Sequence, residues 1–472
     1  MDELENRTFD EIAVGDTASL TRTLTENDIK IFAIMSGDIN PAHVDTEYAQ
    51  SEMFKKVIGH GMWGGALIST VLGTLLPGPG TIYIGQTIRF KKPVAIGDTL
   101  AVKVTAIEKI PEKKRVIFTC ECRNQHDEVV MEGQAEVIAP TKKIRRPKAE
   151  LPEISLRRTR SLFAPYLEKA QKFNPLRAAV IYPVHEKIIR AVHDAALNKL
   201  MQPILIGPKQ RIHLAAAAAG VDISAYEIID TELSHAAMTK AIAMARKGEV
   251  GVIVRGGARR EELLPLMLKE NKGLLMDRCI SNVIVLDVPT YKKALILTDT
   301  LVNANPNLET KRSITQNAID FAHALGIEKP KVAILAGVDT INHSLQSTID
   351  AAALCKMAER GQIDGGILDG PLTFDNVISI AVAKSKGIES PVIGDADILV
   401  VPNLETGSML AKQLEYLAES RNAGLAIGGR VPVLMGHIND ISLSTISCAF
   451  AMLNTDHQQN ELRLKLKGEK YD

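Results

Sequence analysis

Phe32-Ala-Ile-Met-Ser-Gly-Asp38-Ile-Asn40-Pro41-Ala-His43-Val-Asp45 is the stretch that decides how the first part of the chain is read. It continues from Glu26 to Met35, whose pattern predicts a short helix opened by Thr25, since a threonine hydroxyl can accept an orphan amide of the first turn. Ser36-Gly37 ends that helix, glycine being the residue that most readily takes a left-handed cap. Pro41 lacks a backbone donor and opposes a new helix, so Asp38 to His43 are expected as a rigid loop. A carboxylate and an imidazole five residues apart on such a loop converge on one small volume, the geometry needed to hold a water and move its proton. Taken alone, an Asp-x4-His spacing is also found in structural turns.

Outward from there, Ile58-Gly59-His60-Gly61-Met62 leads into Trp63 to Ser69. The spacing predicts helices over Glu47–Lys56 and Gly61–Leu76. Amides at the start of the second, Gly61 above all, can donate to an oxygen that gains negative charge. His60 reads as a cap of that helix. Ser69 reads, from the residues alone, as a small packing residue. Thr81–Phe90, Thr99–Ile107, Arg115–Arg123 and Val129–Ile138 are strand-like, with the period-2 alternation seen in Leu100, Val102 and Val104. Asn124–Asp127 is a hairpin turn. One long helix with an antiparallel sheet predicts an α+β domain over residues 8–139.

Pro140-Thr-Lys-Lys-Ile-Arg-Arg-Pro147 and Pro152 then mark residues 140–156 as a linker, a solvated tether whose basic run also suits an anion. Residues 157–472 alternate short β-branched runs, such as Ala178–Ile181, Val283–Asp287, Leu295–Leu297 and Ile398–Val401, with helical segments such as His185–Leu200 and Ser234–Lys247. That rhythm predicts an α/β region with parallel sheets. Its length points to two sub-domains with a ligand cleft between them. The turn Asn403–Gly407 precedes a helical run from Ser408 to Glu419, and a glycine turn at a helix start suits an anionic ligand, or is an ordinary βα connection.

Composition narrows the function classes. The 472 residues are 46% hydrophobic and 24% charged, with formal net charge zero. A soluble protein of two or three domains is expected, without the basic excess of a nucleic-acid binder. No run of 18 apolar residues and no secretory signal after Met1-Asp-Glu-Leu-Glu is found, so no membrane association and a cytoplasmic location are expected. Five scattered cysteines fit a reducing compartment. Cys120 and Cys122 share a strand face without a second cluster nearby, so no metal site is expected.

The motif around Asp38 resembles that of the MaoC-like R-specific enoyl-CoA hydratases: an aromatic residue, Ser-Gly-Asp-x-Asn-Pro-x-His, then an alanine, here ending at Ala49. The resemblance runs on through His60-Gly61-Met62, Pro77-Gly78-Pro79-Gly80, Tyr83-Ile84-Gly85-Gln86, Phe90-Lys91-Lys92-Pro93 and Gly97-Asp98, covering residues 8–139. It implies a hot-dog fold acting at least as a dimer. Asp38 and His43 would activate water for syn addition to a trans-2-enoyl-CoA, giving an (R)-3-hydroxyacyl-CoA. Asn40 would orient the pair, the Gly61 amide would polarise the thioester, and Ser69 would line the pocket.

Residues 157–472 resemble the phosphate acetyl/butyryltransferase family in four stretches: Asp299 to Lys311, Gly326 to Val332, Asp364 to Leu372 with Asp375, and Ala396 to Gly407. This implies acyl transfer between coenzyme A and inorganic phosphate, with Asn403, Gly407, His437 and Asp440 as candidate residues. The sequence departs from that family at one place. Where a Ser-Arg pair is expected after Pro432-Val433, His437-Ile438 stands instead, and an arginine's bidentate grip on phosphate has no equal substitute. Arg430 lies nearby in sequence. The joined domains resemble bifunctional proteins of CoA thioester metabolism. Acyl-CoA and inorganic phosphate are the expected partners, CoA thioesters act as substrates with no tightly bound cofactor, and a homo-oligomer, dimer or larger, is expected. The alternative is a hydratase whose C-terminal domain is catalytically degenerate and serves CoA binding or oligomerisation.

Overall fold

Leu100, Val102, Val104 and Ala106 alternate with more exposed neighbours along one strand, and all four are buried. A period of two is what a strand with one core-facing side requires. The computed structural model describes residues 3–51, 53–150, 154, 161–436 and 441–467. It divides into Met1–Leu156 and Arg157–Asp472.

The first unit contains β1 (Glu3–Glu5), β2 (Thr17–Thr23), α1 (Glu26–Ser36), α2 (Pro41–Val44), α3 (Thr46–Ser51), α4 (Gly61–Thr74), β3 (Ile82–Phe90), β4 (Thr99–Ile110), β5 (Arg115–Arg123), β6 (Val129–Ile138) and β7 (Arg145–Pro147). Its main sheet is antiparallel throughout, in the order β2-β4-β5-β6-β3. α4 sets Trp63, Leu67, Ile68, Val71 and Leu72 into the core that Leu100, Val102, Val104 and Phe118 form on the sheet. Each such side chain contributes about 1.5–3 kcal/mol on burial, so this one helix organises the domain. Cys120 and Cys122 belong to the same core, and burial pushes both thiols up to about 12.

Three local expectations change. Asp38 to His43 is not all loop: Pro41 opens α2, because its missing amide is one that the first turn of a helix leaves unbonded anyway. α3 stops at Ser51 instead of reaching Lys56. The basic stretch after Pro140 is no free tether in its first half. β7 pairs with β1, and the Asn6 side chain accepts from the Ile144 amide at 2.9 Å and donates to the Lys142 carbonyl at 2.9 Å.

The second unit carries β8 (Leu176–Ile181), β9 (Met201–Gly207), β10 (Glu227–Asp230), β11 (Val252–Val254), β12 (Ser281–Asp287), β13 (Leu295–Thr298), β14 (Lys331–Leu335), β15 (Ile367–Leu372), β16 (Ile398–Val400), β17 (Arg421–Ile427) and β18 (Val433–Leu434). These make one sheet of eleven strands, ordered β10-β9-β8-β11-β18-β17-β12-β13-β16-β14-β15. It is mixed, so the expectation of parallel sheets holds for two blocks of strands and not for the strands that join them. Strands are parallel from β10 to β18 and again from β13 to β15, but the steps β18–β17, β17–β12 and β12–β13 are antiparallel. Three reversals leave the two parallel blocks running in opposite senses, so β18 and β13 present their C-terminal ends to opposite edges. The connection from Asp287 to Leu295 carried the signal: it is too short for a parallel crossover, which needs a dozen or more residues.

Candidate functional site

α1 is fixed at both ends. Thr25 and Asp28 close a capping box, and Gly37, at φ 75°, donates its amide to the Ala33 carbonyl. The Ser36 hydroxyl donates to the Phe32 carbonyl at 2.7 Å and accepts from the Asp38 amide at 3.2 Å. Asp38 accepts in turn from the Asn40 amide at 3.2 Å. Asn40 is the cap of α2, its side-chain oxygen accepting from the Ala42 amide at 3.1 Å. One turn on, His43 Nδ1 lies 2.8 Å from the Ile58 carbonyl. A carbonyl only accepts, so Nδ1 carries the proton, and in the neutral ring Nε2 keeps its lone pair.

His60 joins the group from the start of α4. Its Nε2 lies 3.0 Å from the Asp38 carbonyl. Its ring centroid is 4.0 Å from that of His43 and 4.9 Å from that of Phe32. It is the backbone N-cap of α4 but makes no side-chain cap bond. Gly61 follows it, and a Cβ there would lie 2.8 Å from the Phe90 ring, so the helix start comes close to β3 only because the residue is glycine. The amide of a first helical residue has no partner within its helix. Thus Asp38, Asn40, His43 and Gly61 lie in one connected arrangement, and His60 enters it as a member the sequence reading took only for a cap. Ser69 stands about 12 Å farther along the α4 axis, on an exposed side.

His43 also lines a cleft of about 460 Å³, with Lys30, Lys55 and Lys56 among its walls and Ile29, Val57 and Ile96 supplying apolar surface. Around it Ile34, Met35, Ile39 and Met62 are exposed. Asp38, His43 and His60 each present a ligand atom within 4.8 Å of one another, an N/N/O set of the kind divalent transition ions accept. The sequence reading, which looked for ligands close together in the chain, did not find it.

In the second unit, Asn403 accepts from the Thr406 amide and hydroxyl, both at 2.9 Å, and so caps the helix Leu404–Leu417. Gly407 lies inside that helix, not in a turn before it. A Cβ there would approach the Asp299 carbonyl oxygen to 2.7 Å. Both residues follow β16. His437 and Asp440 lie outside the described residues. Arg430 is exposed and precedes β18, at the opposite end from Gly436.

Two features were missed. Arg255 follows β11, its amide donating to the Leu434 carbonyl at 3.1 Å and its guanidinium to the Gly436 carbonyl at 3.3 Å. It is 7% exposed, and burial pulls its guanidinium down, although arginine stays protonated in proteins. The sign available in the sequence was an arginine directly after a β-branched run and before Gly256-Gly257. The second is a cleft of about 480 Å³ beyond β14 and β15, lined by Asp339, Thr340, Thr373 and Lys386. The buried Asn376 donates to Asp339 at 2.9 Å, and that bond together with Lys386 holds the carboxyl below its ordinary range. Near Gly407, Asp299 is 2% exposed and accepts from the amides of Asn282, Leu301, Val302 and Asn303 at 2.9–3.1 Å. Burial pushes its carboxyl up against those donors.

Comparison with known proteins addresses both units. Residues 232–450 match the family described as phosphate acetyl/butaryl transferase, and residues 13–129 match the MaoC like domain. A phosphate acetyltransferase of Rickettsia felis is 42% identical over 306 residues, 64% of this chain and 87% of that protein. A branched-chain phosphotransacylase structure from Enterococcus faecalis covers 59% of this chain and 99% of its own, at 24% identity and a TM-score of 0.52, and so bears on fold. An unliganded R-hydratase structure from Pseudomonas aeruginosa is 46% identical, covering 33% of this chain and 99% of its own, with a TM-score of 0.32.

Proposed function

This chain belongs to the phosphate acetyl/butyryltransferase family and carries a MaoC-like domain ahead of that part; on that premise we propose that its first domain hydrates trans-2-enoyl-CoA to (R)-3-hydroxyacyl-CoA and its second transfers acyl groups between coenzyme A and phosphate. The observation that carries the first activity is the His43 Nδ1–Ile58 carbonyl bond, which in the neutral ring places the Nε2 lone pair on the same short segment as Asp38. Water held by the two loses a proton to the pair as its oxygen bonds C3 of the enoyl chain. The C2–C3 electron pair moves onto the thioester oxygen, where the Gly61 amide and the start of α4 stabilise the charge. The proton returns to C2 from the same side, and the thioester carbonyl re-forms. Asn40 fixes the segment that carries both groups. The lysines around the cleft suit the phosphates of coenzyme A. Asp38→Asn and His43→Gln are each expected to abolish hydration of crotonyl-CoA, and near-normal turnover in either overturns the reading. The reaction needs no metal, since the pair activates water itself. Chelator treatment should leave turnover unchanged, and loss of turnover would instead assign Asp38, His43 and His60 to an ion.

In the second domain, coenzyme A thiolate attacks the acyl phosphate carbonyl, the S–C bond forms, and the C–O bond to phosphate breaks. Positioning and charge neutralisation do most of this work. Arg255 supplies the cation that His437-Ile438 lack, because its guanidinium reaches the carbonyl of Gly436, the residue before that pair. The test is phosphate-dependent thiol release from acetyl- or butyryl-CoA. If no short acyl-CoA gives any, the transfer reading fails.

A second copy of the chain is part of the proposal. β3 ends the sheet and exposes Ile82, Tyr83, Ile84 and Phe90, and the loop carrying Asp38 is open to solvent with apolar residues around it. An edge strand of this kind is normally covered. A monomer in solution at micromolar concentration would count against it.

A further inference from the structure

We propose that His60 is a positioning residue of the hydration site: its Nε2–H, donated to the Asp38 carbonyl, and its ring, packed at a tilt of 36° against His43, hold the acid and the base in register. This rests on the hydratase reading and extends it to a residue that makes no contact with the reacting atoms. The Asp38 carbonyl can only accept, so the proton of His60 sits on Nε2. Nδ1 is then a bare acceptor, and it is buried without a hydrogen-bond partner among the described residues. The ring as a whole is 4% exposed.

Two imidazoles 4.0 Å apart are thus held in opposite tautomers, each by a backbone carbonyl. His43 has its proton on Nδ1 and its lone pair on Nε2, while His60 is the reverse. The arrangement ties three segments together. Asp38 follows α1, His43 lies in α2, and His60 opens α4 one residue before the amide of Gly61. Phe32, on α1, packs against the far side of the group. Without the Nε2–H, the Asp38 carbonyl loses its donor, and Asp38 is left with its amide bond to Ser36 and its carboxylate bond from Asn40.

The side chains available for substitution separate this from simple packing. Glutamine places an N–H near the position of Nε2, asparagine near that of Nδ1, and phenylalanine fills the volume with no donor. In the full-length chain with crotonyl-CoA, His60→Gln should keep kcat within about threefold. His60→Asn and His60→Phe should lower it about 30- to 100-fold with little change in KM, the cost of a misplaced catalytic group. Equal losses in the glutamine and asparagine variants, or near-normal kcat in His60→Phe, overturn the proposal. A fold defect is recognised by lost circular dichroism, and the glutamine–asparagine contrast then decides. Correlation spectra of 15N-histidine-labelled protein read the tautomers without substrate. Nε2–H at His60 beside Nδ1–H at His43 is expected, and any other assignment at His60 overturns the proposal. Failure of Asp38→Asn to reduce hydration would instead count against the hydratase reading, whatever the His60 variants do.

Discussion

The Asp38–His43 segment and the Asn403–Gly407 segment both stood out in the sequence, and the fold treats them differently. In the first, each side-chain contact fixes a catalytic candidate: Ser36 holds the Asp38 amide, Asn40 caps α2, and Ile58 orients His43. In the second, the same kinds of contact are spent on the framework, since Asn403 caps a helix and Gly407 lets it pack against Asp299. A functional motif and a framework motif therefore look alike until the bonds are followed to their ends. The difference lies in whether polar atoms remain unspent after the local structure is built. His43 keeps Nε2, whereas the Asn403 side-chain oxygen serves two donors of its own helix.

The largest expected effect would break that contrast. Asp38→Asn or His43→Gln should lower kcat for crotonyl-CoA by at least about a hundredfold, the lower end for a general acid or base, without touching thiol release by the second domain. Gly407→Ala should do the reverse. Its Cβ would press on the Asp299 carbonyl and Val401, costing about 1–3 kcal/mol of stability, read as a lower unfolding midpoint for that domain with hydration intact. A normal midpoint would return Gly407 to the list of ligand-contacting residues. Arg255→Ala should raise KM for phosphate about tenfold, the weight of a charged hydrogen bond, and an unchanged KM would place phosphate elsewhere.

The smallest effect sharpens the framework side. Thr25→Ala should cost about 1 kcal/mol as the α1 cap is lost. Burial works against ionisation of Asp28, but hydrogen bonds from Thr25 and Arg22 leave its carboxyl below the ordinary range. A depressed carboxyl contributes stability above its unfolded value and loses it as pH falls through the folded one. The gap between wild type and Thr25→Ala should therefore close on acidification, as followed by thermal unfolding from pH 7 down to 3, and a gap independent of pH would remove Asp28 from the cap.

Legibility in the sequence followed the same division. α1, its Thr25 cap and the strands β3 to β6 could be read because each depends on near neighbours and on apolar alternation. Asp38, Asn40 and His43 were legible because one short segment carries them all. The place of His60 beside them was not, because it depends on a carbonyl 22 positions earlier. β1 pairing with β7 joins the two ends of the domain, which no local pattern reports. In the second unit the runs Val283–Asp287 and Leu295–Leu297 announced strands but not their direction, and direction decides at which edge Arg255 and Asn403 emerge. Arg255 itself was overlooked because one arginine after a strand carries no pattern.

Both histidines of the first site take their proton address from backbone carbonyls, those of Ile58 and Asp38. Substitution can replace every side chain around them and leave those two oxygens in place, so the tautomers are inherited with the path of the chain. Drift at Val57, Ile58 or Ile39 is then silent for proton placement so long as that path is kept. A lineage of this domain that varied the side chains around the two histidines while keeping that path would keep the same protonation pattern.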